Sequence, residues 1–423
     1  MIYSKPKTIL LLLLASVSVL AVMALGVYST DWILNKKKES LKPHIPTDIG
    51  LACTLDSIIN NQTALDPEKM GIAIYDLTAD TLLYSLNNDT PYVPASTVKI
   101  LTAMMAFHNW NTDHKFRSKL LIDSTRFIGD HLNGNLILDL AADPVFPEAE
   151  LFADSIKRLG INSIQGKLKY RLAVTDTLTA DITTLPRDFP YYRRPLLFRG
   201  EKHVKEAFHN AFRKAGISIE GDTIDDNPTT TLIAYQSPLR SIIAHMLTFS
   251  SNRLAEAIQY NLARELAQKH GSHINKHNVN AWYIDSILKY NGKDKETVII
   301  YDGSGLSPSN QLTPHFLTWL LREAWKDKTL RDNLIHESLA TPNHPGRRGS
   351  VRRRMHDPRF TGKVFCKTGT MPSHGITTLC GYIHSDSGHW YAFTILNNDS
   401  PQQDSRDLQD AICLRVIDRP RMK

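Results

Sequence analysis

The stretch VPASTVKIL, from Val93 to Leu101, sets a serine and a lysine in front of a mostly apolar segment. It predicts a buried helix with Ser96 and Lys99 in its first turn, because Pro94 favours a helix start and residues three apart share a helix face. An ammonium group is costly to bury in such a place. The two side chains are suited to act as a nucleophile and its general base.

The Ser-x-x-Lys pattern is short, and chance is the alternative explanation for it. It occurs three times in the chain, beginning at Ser4, Ser96 and Ser286. Only Ser96 precedes a mostly apolar run, from Ile100 to Phe107. A catalytic Ser96 therefore requires support from other motifs.

Length and charge limit the class of protein. At 423 residues the chain is long enough for two or three domains of about 150 residues each. Its net charge of +7 is spread along the sequence, with one dense run of arginines between Pro345 and Met355. Such runs are usually solvated surface, and no nucleic-acid motif accompanies this one. We expect no nucleic-acid partner, and the sequence does not indicate an oligomeric state.

The N-terminus contains an apolar segment that is a signal peptide or a membrane anchor. Residues Ile9 to Val27 form 19 positions without a charge, longer than the usual signal-peptide core of about 7 to 15 residues. This favours an uncleaved anchor in residues 1–33, followed by a linker in residues 34–46. The lysines after the segment outnumber those before it, which opposes an outward-facing body.

Four cysteines match no metal-ligand spacing: Cys53, Cys366, Cys380 and Cys413. Export would permit a disulfide between Cys53 and Cys413 in the terminal helices. The alternative is four buried thiols.

Strand patterns at both ends of the chain predict an α+β fold. Apolar positions indicate a helix in residues 49–61 and a hairpin of residues 70–77 and 81–86. Three more strands are predicted in residues 362–370, 375–384 and 389–397, and a final helix in residues 404–416. These strands predict an antiparallel sheet that the terminal helices cover. A further helical stretch is predicted from Ser241 to Leu266.

The middle of the chain has strands and helices of its own, and it predicts an inserted smaller α/β domain. NLILDL and GKLKYRLAV are strand-like, whereas AELFADSIKRLG and EKHVKEAFHNAFRKAG are helical. We therefore expect an inserted domain in residues 111–235. The remaining residues, 47–110 and 236–423, form the other domain.

Two further motifs contain side chains that could belong to the same site as Ser96. Ser250, Ser251 and Asn252 supply two hydroxyls and an amide at a helix start, although an ordinary N-cap would look the same. KTGT, residues 367–370, occurs once and is predicted on an edge strand. Its lysine offers charge to a carboxylate, its threonines offer donors, and its glycine permits close approach of a ligand. The alternative for this motif is a polar strand end.

In this order, Ser-x-x-Lys, Ser-x-Asn and Lys-Thr-Gly resemble the penicillin-binding proteins and serine β-lactamases. DGSGLS (302–307) and GNLILDLAADPVF (134–146) most resemble the class C low-molecular-mass penicillin-binding proteins, the D-alanyl-D-alanine carboxypeptidase/endopeptidase family. The resemblance implies the penicillin-binding/serine β-lactamase-like fold, with a five-stranded antiparallel sheet. Three features depart from the family: only 154 positions separate Ser96 from Ser250, Ser251 stands where Asp is frequent, and AADP replaces a glycine-rich GGDP.

The resemblance also implies roles for eight residues in cleaving peptidoglycan stem peptides. Ser96 would attack the D-Ala-D-Ala carbonyl while Lys99 accepts its proton, Ser250 would relay a proton to the leaving amine, and Asn252 would hold the substrate amide. The terminal carboxylate would be bound by the KTGT motif, which consists of Lys367, Thr368, Gly369 and Thr370. β-Lactams would act as covalent inhibitors, and no metal or organic cofactor is implied. Export implies a location in the bacterial periplasm or cell envelope.

Two other functions remain compatible with the motifs. A serine β-lactamase would use the same three motifs, but it needs a group that activates water for fast deacylation, and the sequence does not identify one. A non-catalytic cell-wall scaffold protein with a relic fold is the other alternative. The intact motifs oppose it, whereas the short insertion and the altered second motif favour it.

Overall fold

A computed structural model describes residues 49–123, 127–146, 148–222 and 228–419. The predicted anchor and linker, residues 1–46, lie outside these ranges. Among the helices of the described ranges, none combines the length and the apolar character needed to cross a bilayer.

The described residues form thirteen strands and ten α-helices. The strands are β1 (Met70–Asp76), β2 (Thr81–Leu86), β3 (Lys115–Ile122), β4 (Phe127–Ile128), β5 (His131–Leu132), β6 (Leu136–Leu140), β7 (Ser163–Ile164), β8 (Leu168–Leu172), β9 (Ser218–Ile219), β10 (Thr230–Pro238), β11 (Val364–Met371), β12 (Ile376–His384) and β13 (Trp390–Asn397). The helices are α1 (Ile49–Asn60), α2 (Lys99–Trp110), α3 (Ala149–Arg158), α4 (Glu201–Lys214), α5 (Leu239–Thr248), α6 (Asn252–His270), α7 (Val279–Ser286), α8 (Pro314–Lys326), α9 (Lys328–Asn333) and α10 (Gln402–Ile417).

The main sheet has five antiparallel strands in the order β11-β12-β13-β1-β2, as predicted. The central pair, β1 and β13, joins the two ends of the chain, with Met70 opposite Asn397 and Asp76 opposite Tyr391. Strand β11, which carries the KTGT motif, lies at one edge. On the outer side of this strand Cys366 pairs with Ala340, and the part of that side beyond Cys366 is available to an extended ligand.

Helices cover both faces of the main sheet, which explains why every residue of β1 is buried. Side chains alternate between the faces of a strand. Ile72 and Ile74 pack with Leu55 of α1 and Leu408 of α10, whereas Tyr75 belongs to the core on the opposite face. The prediction that the terminal helices cover the sheet is confirmed.

A second group of strands occupies the middle of the chain. Strands β10, β3, β6 and β8 form one sheet, and the short strands β4, β5, β7 and β9 form another. Helices α3 and α4 pack on them through an aromatic core that includes Phe146, Phe152 and Phe208. Strand β10 continues to Pro238 and pairs with β3 over its whole length.

Two predictions of local structure are wrong. The helical stretch from Ser241 to Leu266 is interrupted between α5 and α6, where Ser250 takes a left-handed backbone conformation with φ of +57°. The disulfide between Cys53 and Cys413 is absent, because all four cysteines are free thiols. The alternative of four buried thiols also fails at Cys53, which is exposed.

Candidate active site

Ser96 lies in a tight turn that precedes helix α2. The turn, Ala95–Val98, is a 3-10 helix, and α2 begins at Lys99. The prediction that both residues occupy the first α-helical turn is therefore corrected. In a 3-10 turn, residues three apart lie directly above one another, so Ser96 and Lys99 still share a side.

Lys99 is buried and contacts two of the predicted residues. Its Nζ lies 2.8 Å from Oγ of Ser96 and 2.7 Å from Oδ1 of Asn252, and it also contacts the carbonyl oxygen of Ser304. Burial lowers the pKa of Lys99 well below its usual value, and the nearby charge of Lys367 lowers it further. A lysine in this state is available as a neutral amine.

The three contacts of Lys99 suit a neutral amine as well as an ammonium. A neutral amine has two hydrogens and one lone pair. It can donate to Asn252 and to the Ser304 carbonyl while it accepts the hydroxyl hydrogen of Ser96. That arrangement directs the Ser96 proton towards the nitrogen of Lys99.

The second predicted motif fills the break between α5 and α6. The left-handed backbone of Ser250 places its Oγ 2.8 Å from Nζ of Lys367. Asn252 is the first residue of α6, and Ser251 is its N-cap but makes no capping hydrogen bond with its side chain. Capping therefore does not account for this motif.

The KTGT motif lies along β11. Lys367 is buried, contacts Ser250 and donates to the carbonyl of Thr368 at 2.7 Å. Burial lowers its pKa from the usual 10.5 to about 8. Thr368 and Thr370 are half-buried, so their hydroxyls lie at the edge of the site.

Gly369 brings the β11 backbone against the turn that contains Ser96. A Cβ at this position would overlap Oγ1 of Thr378 and would lie 2.9 Å from the backbone nitrogen of Ser96. Glycine is thus required for the close approach of the first and third motifs. The structure therefore brings all three motifs together around Ser96.

The site also contains two buried carboxyl groups and the backbone carbonyl of Ser304, which were not predicted there from the sequence. Asp302 accepts the backbone N–H groups of Gly305 and Ser307 at 2.6 Å each, and Glu256 accepts that of Ser304 at 3.0 Å. Burial raises the pKa of both carboxyl groups, that of Glu256 to about 8. They hold the DGSG loop so that the carbonyl of Ser304 contacts Lys99.

A signal for Glu256 was present in the sequence. It follows Asn252 by four residues, so both lie on the same face of α6. Asp302 was noted only as the first residue of DGSGLS, one of the stretches that resemble the family, and was not predicted as a site residue. Both acids also oppose the pKa depression of Lys99 through their negative charge.

We expect Gly305→Ala to disrupt the turn that carries Ser96. Gly305 has φ of +78°, and a Cβ there would overlap the carbonyl oxygen of Ala95. Strain and overlap together should lower the free energy of unfolding by roughly 2 to 4 kcal/mol and slow acylation of Ser96. Denaturant unfolding measures the stability loss.

Gly388→Ala is the matched control. Gly388 has a similar φ of +86°, but no atom lies within 4 Å of its hypothetical Cβ. This variant should lose only about 1 to 2 kcal/mol, from backbone strain. Equal losses in the two variants would mean that contact between Gly305 and Ala95 is unimportant.

One group of metal-ligand residue types lies within the described residues. Asp89, Asp294 and His315 have ligand atoms within 4.8 Å of one another. However, Asp294 already accepts hydrogen bonds from Thr313 and Tyr290, and its Oδ1 lies 3.0 Å from Nδ1 of His315. These bonds satisfy the acid, so we assign no metal to this group.

Comparison with known proteins identifies similar sequences. The profile of the D-Ala-D-Ala carboxypeptidase 3 (S13) family matches residues 51–195 and 184–417. A D-alanyl-D-alanine carboxypeptidase from Actinomadura sp. is 27% identical over 223 residues, which are 50% of this chain. The match covers 39% of the length of that relative.

Solved structures show the same fold. Penicillin binding protein 4 from Haemophilus influenzae matches with a TM-score of 0.63 and 17% identity, over 84% of this chain and 99% of its own. It has also been solved in complex with a β-lactam. A predatory endopeptidase from Bdellovibrio bacteriovorus matches with a TM-score of 0.57 and 16% identity, over 82% and 92% of the respective chains.

Proposed function

Because the chain belongs to the D-Ala-D-Ala carboxypeptidase 3 (S13) family, we propose that it is a serine-type D-alanyl-D-alanine carboxypeptidase or D,D-endopeptidase. It acts on peptidoglycan stem peptides through an acyl-enzyme on Ser96. The observation that carries this proposal is the contact between the Ser96 hydroxyl and a buried lysine whose pKa is lowered.

In the acylation step, Oγ of Ser96 bonds to the carbonyl carbon of the penultimate D-Ala while Lys99 takes the hydroxyl proton. The tetrahedral intermediate collapses as its C–N bond breaks, and the leaving amine receives this proton from Lys99 through Ser250, which leaves Lys99 neutral again. The contact of Ser250 with Lys367 supports this relay, because a buried cation beside the hydroxyl favours loss of its proton. The products are a free amine and an ester on Ser96.

The KTGT strand binds the substrate in this proposal. Lys367 supplies positive charge to the terminal carboxylate, and the hydroxyls of Thr368 and Thr370 donate to it. The backbone N–H groups of Ser96 and Thr370 stabilise the oxyanion, a contribution worth roughly 3 to 4 kcal/mol for each donor. The close packing of Gly369 against the Ser96 turn supports this pairing.

Deacylation reverses the chemistry with water as the nucleophile. Water adds to the ester carbonyl and gives a proton to Lys99. The C–O bond to Ser96 then breaks, and the serine regains its proton. The shortened stem peptide leaves as a carboxylate. Within the described part of the chain we identify no separate acid or base dedicated to this water.

The domain division and the location belong to the same proposal. We assign residues 111–235 to an inserted domain, supported by their own sheets and aromatic core. The enzyme resides in the cell envelope, and the apolar segment within residues 1–33 anchors it to the cytoplasmic membrane. β-Lactams acylate the same serine that attacks the peptide.

The function is tested by the mass of the intact full-length protein after brief exposure to benzylpenicillin. We expect one drug molecule bound per chain, with an adduct that persists for hours, and no adduct in Ser96→Ala. The persistence follows from slow attack of water on the acyl-enzyme when no dedicated base is present.

Other outcomes separate the alternatives. Rapid loss of the adduct with continuous hydrolysis of the drug would identify a β-lactamase. Failure to form any adduct would favour the non-catalytic scaffold protein.

A further inference from the structure

A basic pocket lies beside the second motif. Its cavity of about 290 Å³ is lined by Phe249, Ser350 and four arginines, which are Arg352, Arg353, Arg354 and Arg406. We call these residues the arginine pocket. Phe249 directly precedes Ser250, the proposed proton relay, so the pocket and the relay are neighbours in the chain.

The loop that carries the arginines is held firmly against helix α5. Gly349 has φ of +39°, and a Cβ there would overlap the carbonyl oxygen of Thr248. Val351 is buried in the core under the main sheet. These contacts fix the backbone of the loop beside helix α5, whereas the side chains of Arg352 and Arg353 are exposed to solvent.

The pocket contains positive charge that the described residues do not neutralise. Arg354 is bound to Asp410 and Gln409 of α10. In contrast, Arg352 and Arg353 form no ion pair with any residue of the described ranges. Arg406 also forms none, although the negative charge of Asp410 acts on it. Guanidinium groups without a carboxylate partner attract an anionic ligand.

Two further observations support binding at this place. Oγ of Ser350 is buried and has no hydrogen-bond partner among the described residues, so it can serve a ligand. Phe249 leaves 55% of its surface exposed, although large aromatic side chains are usually buried. The pocket thus offers charge, a hydroxyl and an apolar surface.

The position of the pocket indicates which part of a substrate would reach it. In the proposed function, Lys367 binds the carboxylate of the leaving residue and Ser250 protonates its amine. A group attached to the leaving residue would then lie near Phe249, which lines the pocket and adjoins Ser250 in the chain. A carboxypeptidase releases only D-alanine, whereas cleavage of a cross-link releases a whole stem peptide with further carboxylates.

We propose that the arginine pocket binds a carboxylate of the leaving strand of cross-linked peptidoglycan, and that the enzyme therefore favours endopeptidase cleavage. This inference rests on the proposed function. It adds a substrate class to the same site, namely a cross-linked peptide with an anionic leaving strand.

The test is the double variant Arg352→Ala/Arg353→Ala in the full-length protein, with two substrates. One is a cross-linked stem-peptide dimer, and the other is an uncross-linked pentapeptide that ends in D-Ala-D-Ala. We expect KM for the dimer to rise about tenfold at unchanged kcat, because charge-assisted hydrogen bonds to the leaving strand are lost. Values for the pentapeptide should stay within about twofold.

Two controls isolate the position of the charge. Arg158→Ala/Arg213→Ala removes two arginines from the surface of α3 and α4 and should leave both substrates unaffected. Arg352→Lys/Arg353→Lys keeps the charge and should restore part of the loss. Equal effects on both substrates, no effect on the dimer, or an enzyme that acylates but does not cleave the dimer would each overturn the proposal.

A separate readout distinguishes this inference from the proposed function. Acylation by benzylpenicillin does not involve the leaving strand, so its rate should be the same in the arginine variants and the wild type. Absence of an adduct in the wild type would refute the proposed function itself. Loss of binding to a phosphate-rich wall polymer, with dimer cleavage intact, would overturn the peptide assignment in favour of that polymer.

Discussion

Replacing Ser96 with alanine is expected to reduce kcat/KM for a D-Ala-D-Ala peptide by a factor on the order of 10⁴ or more. The Ser96 hydroxyl is the group that contacts the buried Lys99, and its removal leaves no nucleophile at that place. Only substrate binding and the oxyanion donors would then remain. Release of D-alanine, measured over hours at high enzyme concentration, gives the residual rate.

Ser251→Ala is the matched control in the second motif. The Ser251 side chain makes no capping bond, whereas the neighbouring Ser250 contacts Lys367. We therefore expect Ser251→Ala to change kcat/KM only a few-fold, by about 2 to 5 times. Equal losses in Ser96→Ala and Ser251→Ala would show that the relay has been assigned to the wrong serine.

Replacing Lys99 with glutamine should lower kcat/KM by roughly 10³-fold, because it removes the proposed general base. The wild type should have a bell-shaped pH profile. Activity rises with pH as Lys99 becomes neutral, which its lowered pKa permits well below the usual range. Activity then falls above about 8, where the cation of Lys367 is lost.

Two variants test which lysine causes each limb of the pH profile. Lys99→Gln should lose the rising limb and keep the falling limb. Lys367→Arg should lose the falling limb, since arginine keeps its charge over the whole range. Measurement of kcat/KM from about pH 5 to 10 gives both limbs. A rising limb that persists in Lys99→Gln would contradict the role of Lys99 as base.

The main sheet could be predicted from sequence because its strands have strong apolar patterns. GITTLCGYIH and HWYAFTILN are long enough to indicate strands, and short turns between them favour antiparallel neighbours. The family match confirms the resemblance that the three motifs indicated. The five-stranded sheet and its terminal helices are as expected, within two or three residues at most boundaries.

Local backbone geometry was harder to predict. The 3-10 turn at Ser96 and the break at Ser250 both depend on a residue with positive φ, Ala95 and Ser250 respectively. Non-glycine residues seldom adopt that conformation, so tertiary contacts must impose it. Sequence patterns contain no signal for such contacts. The exposed Cys53 was likewise missed, although Leu51, Leu55 and Ile59 form a buried stripe on α1 and Cys53 lies off that stripe.

The buried carboxyl groups of the site are a second feature that could not be predicted from the sequence. Asp302 and Glu256 belong to different segments, and each binds backbone N–H groups of the DGSG loop. A sequence shows that an acid lies in a helix or a turn. It does not show that two distant acids converge on the loop whose carbonyl contacts Lys99.

The pairing of β1 with β13 has a consequence for biosynthesis. These strands are more than 300 residues apart in sequence, so the protein has a high contact order and is expected to fold slowly. Ser96 leaves the ribosome or the export machinery long before Lys367 does. Ser96 and the strand that carries the KTGT motif therefore meet only when synthesis is almost complete. An incomplete nascent chain would be inactive. A protein truncated before β13 would also be inactive, although it contains Ser96 and Lys99.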